Sequence, residues 1–139
     1  MNHKLIFLSV LMIFSFQTYS QSALGIWKNI EDDELQSHIE IFESEGKVHA
    51  RVIELFPNSK VTHCKKCKGD DKGASLKDIL IIEDMKYEDG KWVDGDILDP
   101  NKGKTYSCQM ELDGDNTLKI RGYLGKPMFG KTFYWYRVE

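Results

Sequence analysis

Cys64 and Cys67, separated by two residues and preceded by His63, are the side chains of this chain best suited to chemistry. Three chemistries compete for such a set. A disulfide between the two would close a small ring and stiffen the segment around it. A redox-active dithiol places its first thiol at a helix N-terminus, where the thiolate is stabilised, and no helix of ordinary length is readable nearby. A closed zinc site needs four ligands. His63, Cys64 and Cys67 supply three, there is no second Cys-x-x-Cys, and His38 and His49 fall on strand-like segments without paired spacing. The third cysteine, Cys108, leaves the count odd. A bond from Cys64 or Cys67 to Cys108 would close a loop of about 40 residues and contribute roughly 4 kcal/mol in the chain-entropy treatment. The Cys64–Cys67 bond is the expected one, because the two are neighbours and Cys108 lies on an apolar strand face where a free thiol packs well.

The remaining polar residues offer less. Glu31-Asp32-Asp33-Glu34 reads as a solvated loop. Asp94-Gly95-Asp96 and Asp113-Gly114-Asp115 lack the later ligands of a calcium loop and read as turns. Gly-x-Ser-x-Gly, His-Glu-x-x-His and a phosphate-binding glycine loop are all absent from the sequence. The residues weigh against an enzyme without deciding it, since acid–base pairs can assemble from distant strands. No cofactor and no metal is expected. The Lys65-Lys66-Cys67-Lys68 run is followed at once by Asp70 and Asp71, so it reads as a solvated face rather than a nucleic-acid patch.

The elements that must position these residues are written in period two. From Thr105 to Leu112, Tyr106, Cys108, Met110 and Leu112 share one side. After the Asp113–Asn116 turn, Leu118, Ile120, Gly122 and Leu124 face one way, and Lys119, Arg121 and Tyr123 the other. Such alternation marks half-buried antiparallel strands. Further strands are expected over Ile26–Ile30, Leu35–Ile41, Val48–Leu55, Ile79–Glu83, Trp92–Leu98 and Phe129–Val138, about eight in all. Regular short strands separated by turn signals imply a sandwich or a barrel. Between them Phe56–Ser75 is unusually long for a connection without structure and must be functional or held by something; Cys64 and Cys67 are the visible holders.

The N-terminus reads as a leader. Lys4 precedes an apolar run from Leu5 to Phe16, followed by Gln17-Thr18-Tyr19-Ser20. This is the order of a secretory signal peptide cleaved after Ser20, and its apolar core is short for a membrane span. Residues 1–20 are thus expected to be a signal peptide and residues 21–139 a single domain, exported to the periplasm or secreted, with no membrane span in the mature chain. Loss of Lys4 moves the formal charge from −3 to −4.

Gly25-Ile26-Trp27 near the start and Arg137 at the end resemble the lipocalin and calycin barrels, in which a Gly-x-Trp opens the first strand and a cation from the last strand lies over the Trp. The resemblance implies an all-β, single antiparallel up-and-down β-barrel of about eight strands, closed at one end by Trp27 and Arg137. Closure also removes exposed strand edges.

More specific residues carry a second resemblance. His63–Gly69, Gly95–Tyr106, Leu118–Gly125 and Phe129–Trp135, in that order, are similar to the exported bacterial family called domain of unknown function 2147. The similarity spans Gly25 to Arg137 and implies a small lipocalin-like barrel with a periplasmic or secreted life. It implies no reaction. Lys131 stands where an Arg is common in the family's last motif, so no guanidinium contact carries over to that position.

Two function classes follow. In the first, the barrel binds a small apolar or amphipathic ligand lined by Trp92, Tyr106, Arg121, Tyr123, Phe129 and Tyr134. Arg121 would anchor a carboxylate if it points inward and is a surface cation if it does not. In the second, the barrel is a packed envelope structural or protein-interaction module that takes no ligand and acts through its outer surface or the cysteine-bearing loop. The first ranks ahead by analogy of fold alone.

Overall fold

The computed structural model describes residues 22–138. The leader expected over 1–20 lies outside the described residues.

Eight strands follow one another: β1 (Gly25–Glu31), β2 (Glu34–Ser44), β3 (Lys47–Leu55), β4 (Leu80–Glu88), β5 (Lys91–Asp99), β6 (Lys104–Leu112), β7 (Thr117–Tyr123) and β8 (Gly130–Arg137). Each pairs antiparallel with its neighbour in sequence, and β1 pairs with β8 through Trp27↔Arg137 and Lys28↔Tyr136, so the sheet is a closed up-and-down barrel. The expected fold class is the observed one. Closure leaves neither β1 nor β8 as an open edge.

The antiparallel order gives the barrel two unlike ends. At the hairpin end, the turns after β2 and β4 are two residues each and the one after β6 is four, and the chain enters β1 and leaves β8. At the loop end lie the 32–33 turn, the 56–79 segment, the 100–103 turn and the 124–129 loop. The 56–79 segment contains two short 3-10 turns, Gly69–Asp71 and Leu76–Asp78.

The apolar alternation resolves into an inner wall. Leu118 and Ile120 are fully buried, as are Cys108, Ile82, Met85 and Trp27. Cross-strand rows run Leu112↔Leu118↔Trp135, then Met110↔Ile120↔Phe133, then Cys108↔Gly122↔Lys131 toward the loop end. Two aspartates with positive φ, Asp84 and Asp94, interrupt the alternation of β4 and β5. The register between β5 and β6 shifts between Trp92 and Gly95. The extra residue returns Gly95 and Ile97 to the inner face on which Trp92 also sits, as a β-bulge does.

Candidate functional site

The hairpin end is sealed. Trp27 donates from Nε1 to the Ala23 carbonyl at 2.8 Å, and the Arg137 guanidinium lies 4.3 Å from the centroid of the Trp27 ring. Arg137 also donates to the carbonyls of Asp115 at 3.0 Å, Ser22 at 2.9 Å and Leu24 at 3.4 Å. A cation over an indole face with its remaining N–H groups satisfied is a stable plug. Gly25 has φ +131°, and a Cβ there would face Arg137 Nη1 at 3.5 Å.

The middle of the barrel is filled. Met85 reaches across to β5, where a Cβ on Gly95 would lie 2.0 Å from the Met85 sulfur. The Cys108 thiol in turn sits 3.4 Å from that sulfur. Cys108 is fully buried and free. Burial, with the Asp96 carboxylate as a lesser cause, pushes its thiol up to about 12. It is a packing thiol rather than a nucleophile.

The loop end is covered on one side. Cys64 and Cys67 form a disulfide and are both buried. The Cys64 amide donates to the Ala74 carbonyl at 2.9 Å, and the Gly73 amide to the Cys64 carbonyl at 2.7 Å, so the ring anchors the whole segment. It docks on the 100–103 turn, where a Cβ on Gly103 would lie 2.2 Å from the Lys66 carbonyl oxygen. The Asp99 carboxylate fixes that turn by accepting from the Asn101 amide at 2.9 Å. Among the described residues no group of three or more potential metal ligands comes together.

The six residues named as ligand contacts do not converge. Trp92 is buried on the inner wall toward the hairpin end, with the Tyr87 ring 5.1 Å away. Tyr106 is on the same wall, half-buried, toward the loop end. Arg121 lies on the outer face beside Gln109 and Thr132. Its Nη1 donates to Thr132 Oγ1 at 2.7 Å, and Nε and Nη2 donate to the Pro127 and Met128 carbonyls. Arg121 therefore braces the 124–129 loop. Tyr123 is also on the outer face, where desolvation, with lesser contributions from Asp94 and Cys108, raises its phenol above the usual range. Phe129 stands exposed on the 124–129 loop, and Tyr134 faces outward opposite Lys119.

Phe133 and Lys131, not among the six expected ligand contacts, share the inner face of β8 with Trp135. Counting by twos from Arg137, already assigned to the Trp27 side, would have found both. On the outer wall, a groove of about 230 Å³ runs past Lys91, Gln109, Lys119 and Arg121. Glu111 bridges Lys91 and Lys119 across it at 3.7 and 3.9 Å.

An eight-stranded antiparallel barrel with a Gly-x-Trp plug and a last-strand arginine defines a lipocalin-type fold. The chain belongs to the bacterial family described as "Uncharacterized protein conserved in bacteria (DUF2147)", whose model matches residues 25–137. Among solved structures it is similar to protein HP1028 from Helicobacter pylori, described as belonging to the lipocalin family, with 24% identity and a TM-score of 0.72. That match covers 85% of this chain and 84% of the other, and it speaks to the fold. No curated protein matches the chain.

Proposed function

We propose that the chain is an exported binding protein that takes a small amphipathic ligand at the loop end of its barrel, above a filled core, and not along a deep lumen. Export is supported by the leader-like order of Met1–Ser20. The observation that carries the binding reading is the change in exposure along the inner wall. Cys108, Ile120 and Leu118 are fully buried, whereas Tyr106 and Phe133 are half-buried and Lys131 is exposed. Gly122, between Cys108 and Lys131 in its row, adds no side chain there. Aromatic surface beneath a lysine suits a molecule with an apolar body and an anionic head.

A second reading is favoured by Met85 lying over Gly95: a packed barrel with no ligand, acting through its surface. Native mass spectrometry of the mature protein, purified gently from its own envelope, separates the two. A reproducible bound small molecule, lost on Lys131→Glu with the fold intact, supports rim binding. A clean apo mass across preparations overturns it in favour of the packed module.

A further inference from the structure

The 124–129 loop is the most apolar exposed feature among the described residues. Leu124, Met128 and Phe129 are 65%, 72% and 67% exposed. A soluble surface tolerates single exposed apolar side chains, but three large ones on one short loop mark a contact surface. The loop is also held in shape. Phe129 donates its amide to the Lys126 carbonyl at 3.0 Å, Lys126 to the Leu124 carbonyl at 2.9 Å, and Arg121 grips the Pro127 and Met128 carbonyls from below. Such bracing keeps the three side chains from folding back onto the barrel.

Charge surrounds this tip unevenly. Lys126 lies within the loop and Lys131 just beyond it, and Lys104 opens β6 at the same end; all three are exposed. The three connections 56–79, 99–104 and 124–131 hold ten lysines against four aspartates, in a chain whose net charge is −3. The fourth connection at this end, Glu31–Glu34, is acidic, and Lys60 of the long segment is paired with Asp32. The positive surface therefore lies on the side that runs from the 124–129 loop toward the disulfide segment.

The geometry points to a membrane-docking site: Leu124, Met128 and Phe129 enter the interfacial region of an anionic lipid surface, while Lys126, Lys131 and Lys104 meet its headgroups. Bulky apolar side chains combined with basic residues are what interfacial binding requires. A protein partner fits less well, because three side chains at a loop tip cover far less than the roughly 800 Å² per side of an ordinary protein interface. The inference shares Lys131 with the ligand reading but rests on Leu124, Met128 and Phe129, which lie outside the barrel wall.

Cosedimentation of the mature chain with vesicles tests it, using phosphatidylcholine alone and phosphatidylcholine mixed with phosphatidylglycerol. Binding is expected to the mixed vesicles only, weakening as salt rises. The double variant Met128→Ser, Phe129→Ser is expected to lower it at least ten-fold, and Lys126→Glu with Lys131→Glu to remove the preference for anionic lipid. All four positions are exposed, so an unchanged urea midpoint certifies each variant's fold. Failure to bind either vesicle at low salt overturns the inference, as does binding that the serine variant leaves unchanged. Concentration-dependent self-association that Phe129→Ser abolishes, without vesicle binding, overturns it in favour of a second copy of the chain.

Discussion

Arg137 lays its guanidinium over the indole of Trp27, joining the last strand to the first at 4.3 Å. The same side chain ties the segment before β1 and the 113–116 turn to the seam through three carbonyls. Four attachments meet on one residue at the point where the sheet closes. Arg137→Ala is expected to cost about 2–3 kcal/mol, combining the cation–π contact with lost hydrogen bonds. Urea unfolding followed by tryptophan fluorescence measures this. Arg137→Lys should recover only part of it, because an ammonium cannot reach three separate carbonyls while stacking.

Gly103 has φ +64° and no room for a Cβ against Lys66. Gly103→Ala is expected to destabilise by about 2 kcal/mol, through both the backbone strain and displacement of the long segment. Limited proteolysis should then cut within residues 56–79 faster than in the parent protein, while the strands remain protected. An unchanged cutting rate would mean that the segment does not depend on this close approach.

Reduction of Cys64–Cys67 opens a ring of few residues, so the chain-entropy contribution is small, about 2 kcal/mol. The barrel itself should survive. A reductant is expected to lower the urea midpoint modestly while leaving the far-ultraviolet circular dichroism in place, and collapse of the barrel on reduction would contradict this.

Cys108 gives stability a pH dependence with a definite sign. Its folded-state thiol is pushed up to about 12 by burial, whereas an unfolded thiol ionises near pH 8.5. Between those values the unfolded chain has released a proton that the folded one retains, so stability falls as pH rises. Below that window the thiol contributes no slope. The loss is on the order of 1 kcal/mol per pH unit above about pH 9. Comparing the pH dependence of unfolding in the parent and in Cys108→Ala isolates this thiol from the lysines and tyrosines that titrate alongside it. Equal slopes would refute the assignment.

The strands were legible because alternation is a local signal: Leu118, Ile120 and Gly122 announce their face without reference to anything distant. The inner residues of β8 were equally within reach once Arg137 was placed over Trp27, since parity then carries Trp135, Phe133 and Lys131 inward and Tyr134 outward. The bulges were not. Asp84 and Asp94 each carry positive φ and insert one residue, so Trp92 and Gly95 share a face although simple alternation puts them on opposite ones. The covering of the loop end was hidden for a different reason. It depends on the Lys66 backbone meeting Gly103, a contact between segments with no shared pattern. Arg121 illustrates the same gap, because two of its three partners are loop carbonyls, which leave no mark on residue types.

Because the seam pairs residue 27 with residue 137, closure waits until the eighth strand has been made. A chain emerging from the ribosome can zip neighbouring hairpins as they appear, yet it carries two unpaired strand edges until β8 is complete. Such edges are sticky, and contacts between distant parts of a chain form slowly. The last strand thus acts as a latch that cannot fasten before all eight strands are available.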